Sequence, residues 1–406
     1  MSVIKKYPLL LPRAADYRKW AVIACDQHTT DVDYWNKLSD YVGNAPSALR
    51  LILPEVFLKE NDLEKRIFTI NKTMRYYLNK GIFKEVNGWV LTERDVGDGR
   101  KRVGLVSCVD LEEYNSGSSA TQIRSTEETI EERLPVRMRI RENAPVELPH
   151  ILLLADDEKR TVIEPLYAKK SSFEVLYDFD LNMNGGHITG YKVPFDDRVI
   201  NGFDALLDAD MQKEKYGKNA NILFSVGDGN HSMAAAKKYW EKLKPSLTSS
   251  ERKNHPARYT LAEIVNIYDD ALDFCPIYRN VFGCDAEKFV DTMASTLHGS
   301  GKLKVVTING ERVISCPSSN ERAISDIQLF LEKQKKENGI IIEYVHEESK
   351  MREDAAAKNG VGIFMPQFMK ENLFNHVVNV GKLPKKAFSI GEEKTKKYYI
   401  EAKRIK

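Results

Sequence analysis

NILFSVGDGNHSMAAAKKYWE, residues 221–241, decides how this chain is read, because an apolar run passes through Gly227-Asp228-Gly229 directly into a helical pattern. Ile222, Leu223, Phe224 and Val226 have the composition of a buried strand, and Met233, Ala234, Ala235, Ala236 and Trp240 suit a helix packed on it. Gly227 and Gly229 permit tight backbone geometry and close approach of a ligand, and Asn230 or Ser232 can cap the helix. Backbone N–H groups leaving such a turn, together with the helix dipole, attract an anion. Asp228, Asn230 and His231 then stand where phosphate oxygens, a metal ion or a proton are handled. An ordinary strand-to-helix turn with a capping residue uses the same residue types.

Outward from that loop, 406 residues exceed what one hydrophobic core supports, so two or more lobes are expected. With 42% hydrophobic and 30% charged residues the composition is that of a globular chain, and no apolar run reaches membrane length. The opening run MSVIKKYPLLLPRAADYRKW is broken by Pro8 and Pro12 and is too short for a secretory signal, which places the protein in the cytoplasm. A net charge of +2 with intermixed signs gives no nucleic-acid field. Cys25, Cys108, Cys275, Cys284 and Cys316 form no Cys-x-x-Cys pair, which argues against a zinc ribbon or a disulfide framework. The Lys-rich end, GEEKTKKYYIEAKRIK, reads as a solvated face.

Helical spacing marks residues 32–42 and 63–81, and residues 88–94 and 101–110 read as strands joined by the hairpin signal DVGDGR. The cluster Asn115 to Ser119 is expected as a surface loop or gate. Ser125 or Thr126 is expected to cap a short acidic helix ending before Pro135. Buried strands are expected at 148–156 and 259–267, a turn between strands at 178–191, a charged helix near 326–338, and further strands at 340–346 and 362–366. The pattern predicts an α/β (α+β) fold with mixed sheets and flanking helices. Its expected partition is an N-terminal lobe at 1–118, a catalytic core at 119–281 and a C-terminal lobe at 282–406, with boundaries open to interweaving.

Several residues carry candidate chemistry. Glu127, in a basic neighbourhood, is a candidate general base for a substrate hydroxyl. Arg279 can neutralise a transferring phosphoryl group, since a guanidinium binds such oxygens in a bidentate fork. Lys385 and Lys386 offer further positive charge. His150, His187 and His376 sit in apolar or turn contexts that suit structural histidines. Asp26-Gln27-His28, Gly229-Asn230-His231 and Gly186-His187 resemble fragments of metal-dependent phosphoesterases, but in the wrong order and without the second bridging Asp that a two-metal clamp needs.

Taken in order, WAVIACDQHT from residue 20, GLVSCVDLEEY from 104, IRSTEETIEERLP from 123, LPHILLLADD from 148, VGDGNHSMAAAK from 226, FCPIYR from 274 and LPKKAFSIGE from 383 resemble the bacterial and archaeal family called domain of unknown function 1015. That family is similar in its loop to the ParB/sulfiredoxin-like superfamily, which includes kinases of free serine. The resemblance implies a ParB/sulfiredoxin-like nucleotide-binding core plus additional lobes, with nucleotide phosphates over Gly227, Gly229, Asn230 and Ser232. Asn230 and Ser232 stand where many relatives have His and Arg, and Arg279, Lys385 or Lys386 would replace the lost cation. The resulting expectation is a kinase acting on a small-molecule substrate, L-serine first, with ATP or ADP and Mg2+. Its proposed catalytic groups are Glu127, Asp228, His231 and Arg279, with Asp228 also the metal ligand. A nucleotide-binding regulatory protein without turnover and a metal-dependent phosphoesterase are the alternatives. No nucleic-acid or membrane partner is expected, and a homo-oligomer is compatible with the sequence.

Overall fold

The computed structural model describes every residue except 1, 14, 59, 116–120 and 129–133. Most of the expected loop at Asn115 to Ser119 and the middle of the expected acidic helix lie outside the described residues. The chain divides into two compact units, one of Met1–Leu272, Val377–Gly381 and Glu393–Lys406, the other of Asp273–His376 and Lys382–Glu392.

The first unit is built on a ten-stranded mixed sheet. Its strands are Ile4–Lys5 (β1), Trp89–Asp95 (β2), Lys101–Asp110 (β3), Tyr114–Asn115 (β4), Ile123–Ser125 (β5), Leu152–Ala155 (β6), Glu174–Asp180 (β7), His187–Val193 (β8), Phe224–Asp228 (β9) and Tyr259–Asn266 (β10). They run in the order β7-β8-β2-β3-β10-β6-β9-β5-β4, with β1 beside β3. The sheet therefore unites strands from both sides of residue 118. The pairs β6/β10, β5/β9 and β4/β5 are parallel, and β6 and β9 are antiparallel with Leu152 opposite Asp228.

Alternation along the central strands feeds two cores. In β3, Val106 and Cys108 join one cluster and Leu105 and Val109 the other. Both faces of the strand are covered, which is why VGLVSCV is a continuous apolar run rather than an alternating one. Each such side chain taken fully out of water contributes about 1.5–3 kcal/mol. Helices Val32–Val42 (α1), Leu63–Asn79 (α2), Leu134–Asn143 (α3) and Asn230–Leu243 (α4) flank the sheet. Met233, Ala236 and Trp240 of α4, at helical spacing, enter the second core, and Ala234 and Ala235 pack on Leu134 and Met138 of α3. Pro135 lies in the first turn of α3 instead of ending a helix before it, a position where its missing N–H costs nothing. Ser125, expected as a cap, is inside β5.

The second unit is a five-stranded sheet of Tyr278–Phe282 (β11), Gly301–Thr307 (β12), Gly310–Cys316 (β13), Ile341–Val345 (β14) and Val361–Ile363 (β15), in the order β13-β12-β15-β11-β14. All its pairs are antiparallel. Helices Ala286–Thr296 (α5), Asn320–Asn338 (α6) and Glu348–Ala357 (α7) supply Phe289, Ile327 and Met351 to its buried interior. Among the described residues no helix is long and apolar enough to cross a membrane.

Candidate phosphate loop and its surroundings

The turn between β9 and α4 has the geometry of an open helix start. Gly229 occupies the N-cap position with φ 78 and ψ 25, and as a glycine it has no side chain with which to cap the helix. The first helical bond is from Met233 N–H to the Gly229 carbonyl. A Cβ at residue 229 would lie 2.9 Å from Ile151 Cα and 3.3 Å from the His150 carbonyl oxygen, so both the backbone angle and the packing require glycine. Gly227 is strand backbone within β9.

Asp228 is half-buried at the mouth of this turn. Its Oδ1 accepts the Gly229 N–H at 2.8 Å and its Oδ2 lies 3.1 Å from Lys396 Nζ. Asn230, 8% exposed, turns back toward β5. Ser125 Oγ lies 2.7 Å from both Asn230 Oδ1 and the Glu127 carbonyl oxygen, and Thr126 Oγ1 donates to the Val226 carbonyl at 2.6 Å. Neither Asn230 nor Ser232 caps the helix; Asn230 bolts the loop to β5, which in turn fixes the backbone of Glu127 beside it. His231 and Ser232 are half-buried on the first turn of α4. Ser232 lines a cavity of about 130 Å³.

A second set of groups adjoins the loop through His150, whose carbonyl packs on Gly229. His150 Nε2 is 3.1 Å from Asp26 Oδ2, and His150 Nδ1 is 2.7 Å from the Tyr399 hydroxyl. Tyr399 O–H donates to Cys25 Sγ at 3.2 Å and accepts the Cys25 N–H at 3.3 Å. Burial opposes a charge on the 4% exposed imidazole, but Asp26 outweighs it and raises the His150 pKa. Burial likewise opposes the Asp26 charge, and His150 more than compensates, holding that carboxyl well below its usual range. With both ring nitrogens protonated the chain of donors is consistent: His150 donates to Asp26 and Tyr399, and Tyr399 to Cys25. Burial, reinforced by Asp26, pushes the Cys25 thiol up to about 12, so it is no nucleophile near neutrality.

The third contribution comes from the Lys-rich end, which is not a solvated face. From Thr395 to Lys403 every residue is buried or half-buried. Arg94 donates to the Lys394 carbonyl at 3.1 Å, and Lys396 reaches Asp228. Lys397 Nζ lies 2.8 Å from Glu263 Oε2 and 3.7 Å from Glu401, while Tyr177 donates to Glu401. Room for Glu263 exists because residue 104 is glycine, where a Cβ would be 2.5 Å from Glu263 Oε1. Burial would raise the Glu263 pKa, but Lys397 and Arg102 bring it down to about 2.

Arg279, Lys385 and Lys386 belong to the second unit. Arg279 is fully buried there: Nε donates to Gln328 at 3.2 Å, Nη2 to the Lys386 carbonyl at 2.8 Å and Nη1 to the Ile277 carbonyl, with the guanidinium 4.5 Å from the Tyr344 ring centroid. Lys385 pairs with Glu332 at 2.8 Å, and Lys386 has a positive φ of 60. These contacts give Arg279 an internal, structural task. The cation beside Asp228 is Lys396, which lies, with Tyr399, in the segment expected to be a solvated face; Asp26 enters the sequence reading only in a phosphoesterase-like fragment and His150 only as a structural histidine.

Among the described residues no group of three or more His, Cys, Asp or Glu side chains can hold a metal ion, where a two-metal clamp needs several. A single magnesium places lighter demands, keeping waters and binding through one or two carboxylates plus substrate phosphates. Asp228 fits that role, since its two oxygens keep lone pairs beyond the two contacts described.

Solved structures similar to this chain include a free serine kinase in complex with AMP, 11% identical with a TM-score of 0.37, covering 72% of this chain and 88% of that one. A variant of free serine kinase in complex with ADP is 12% identical with a TM-score of 0.39, covering 72% of this chain and 89% of that one. SbnI with a C-terminal truncation, from Staphylococcus aureus, is 10% identical with a TM-score of 0.38, covering 70% and 82%. No curated protein matches the sequence. A family model described as a protein of unknown function, DUF1015, matches residues 10–364, and the chain belongs to that family.

Proposed function

We propose that this chain is a small-molecule kinase that transfers a phosphoryl group from ATP or ADP, with magnesium, to a hydroxyl of a small metabolite. The observation that carries the reading is the helix start at Gly229, an N-cap residue in the left-handed conformation with no side chain of its own to cap the helix, flanked by the Asp228–Lys396 pair. Backbone donors and a helix dipole aimed at one point stabilise phosphoryl charge without reorganising during the reaction. The amides of Asn230 to Ser232 would hold phosphate oxygens, with the Gly229 N–H turned to Asp228 and His231 donating to one of them. Lys396 would offset the charge of the migrating group, the task first expected of Arg279 with Lys385 or Lys386. Magnesium, when bound, supplies charge neutralisation between phosphates, and Asp228 would hold it or orient the acceptor hydroxyl.

In the transfer from ATP, the acceptor oxygen bonds to the γ-phosphorus, the bond to the β,γ-bridging oxygen breaks and ADP leaves. The hydroxyl proton would pass to Glu127, a reading supported by the Ser125 hydroxyl, which lies 2.7 Å from both the Glu127 carbonyl oxygen and Asn230 of the loop. L-Serine is the first acceptor to test.

The experiment is a panel of hydroxyl metabolites with ATP or ADP and magnesium, followed by phosphorus NMR. A new phosphomonoester signal is expected. Nucleotide-dependent stabilisation without product would instead favour a sensor, and release of inorganic phosphate from esters a hydrolase. Asp228→Asn should keep the fold and abolish turnover; full activity in that variant removes the loop from the mechanism.

A further inference from the structure

The cavity at the first turn of α4 differs in character from a site for free serine. Besides Ser232 and Cys25 its wall includes Leu53, Met74, Val136 and Leu148. Among the described lining residues the four charged side chains neutralise one another: Arg137 donates to Glu55, and Arg141 pairs with Glu147. A ligand entering here meets apolar surface and no unbalanced charge from these four groups. At about 130 Å³ it is close to the engineered apolar cavity of about 150 Å³ that takes up benzene.

We propose that this cavity seats the apolar body of the acceptor, so that the substrate class is an aliphatic alcohol of about four to six carbons with its hydroxyl at the Ser232 end. This inference rests on the kinase reading and narrows it. A purine ring is disfavoured, because its ring nitrogens and amine lose water on entry, a loss that is costly without hydrogen-bonding partners, and the Arg141 nitrogens that lack a hydrogen bond are themselves buried. An alkyl body carries no such penalty, and each methylene buried raises affinity about fourfold. L-Serine has only one carbon between its ionic head and its hydroxyl, and leaves this wall uncovered.

The test uses the full chain and the straight-chain primary alcohols from ethanol to octanol, with L-serine and adenosine as comparators. Dissociation constants come from ligand-observed NMR without nucleotide, and transfer from phosphorus NMR with ATP and magnesium. Affinity is expected to rise about fourfold per methylene and to break near hexanol, with phosphorylation following the same order. Ala235→Leu, which adds volume at the cavity wall, should move the break to shorter chains. Leu53→Ala, which removes wall volume, should move it to longer ones, so each variant keeps the proposal testable should the other fail to fold. A flat series, tighter binding of L-serine than of hexanol, or displacement of hexanol by adenosine would overturn the assignment. If L-serine is phosphorylated and hexanol is not, the acceptor class fails while the kinase reading stands. If hexanol binds as expected and neither compound is phosphorylated, the kinase reading itself fails, and the acceptor role falls with it.

Discussion

Replacing Glu263 by Gln should destabilise the first unit by about 3 kcal/mol at pH 7. The magnitude comes from the carboxyl itself: moving it from its ordinary 4.5 to about 2 corresponds to about 3 kcal/mol at 1.36 kcal/mol per pKa unit. It agrees with the roughly 3–5 kcal/mol lost when one partner of a buried ion pair is removed, at the lower end because Glu401 remains 3.7 Å from Lys397. The Thr92 hydroxyl, 2.9 Å from Glu263 Oε1, can still donate to a Gln carbonyl, so the change removes charge more than shape. The sign follows from linkage. A carboxyl whose folded pKa is depressed stabilises above its unfolded pKa near 4.5, and that contribution disappears as pH falls toward 2.

All four tryptophans, Trp20, Trp35, Trp89 and Trp240, lie in the first unit, so urea unfolding followed by tryptophan fluorescence reports that unit alone. The gap between wild type and Glu263→Gln should be full at pH 7 and shrink between about pH 5 and pH 2. Lys397→Met and Glu263→Gln should be non-additive, the double variant costing less than the sum of the two single ones, because the attraction between the two groups is lost only once. A cost below about 1 kcal/mol at pH 7, a gap that survives at low pH, or simple additivity of the two substitutions would refute the account of how the C-terminal segment is held.

Three other outcomes follow from the same geometry. Gly229→Ala combines a left-handed backbone angle with a Cβ 2.9 Å from Ile151 Cα; a loss of at least about 2 kcal/mol in chemical denaturation is expected, and a loss under half that would show that the turn can relax. His150 has a raised pKa, so the stability that wild type holds over His150→Gln should be largest below about pH 6.5 and decline as pH rises through the folded value, a profile that fluorescence-monitored unfolding across pH 5–9 can contradict by rising instead. Tyr399→Phe removes the hydroxyl shared by His150 and Cys25 and should cost about 1–2 kcal/mol; an unchanged melting temperature would mean that the buried chain of donors is not intact in solution.

The strand-turn-helix at 221–241 was legible because every level of the sequence agrees there: the apolar run, the glycine at a position with φ 78 and the helical spacing of Met233, Ala236 and Trp240 specify one local answer. The hairpin from Trp89 to Asp110 was legible for the same reason, since DVGDGR separates two strand-like runs and the strands pair across it with Asp95 opposite Lys101. Lys396 and Tyr399 were not, because nothing local marks KTKKYYIE as buried. Its lysines are neutralised by Asp228 and Glu263, which lie 168 and 134 residues away in sequence, and a charge whose partner is supplied by topology looks the same in sequence as one that faces water. Arg279 shows the converse: its residue type suits phosphate, yet its donors are consumed by Gln328 and two carbonyls around it. The residues that escaped a one-dimensional reading are those whose chemistry is set by a partner across the sheet. Glycine 104 was the available hint, since a residue without a side chain in the middle of a buried strand leaves space, and here Glu263 occupies it.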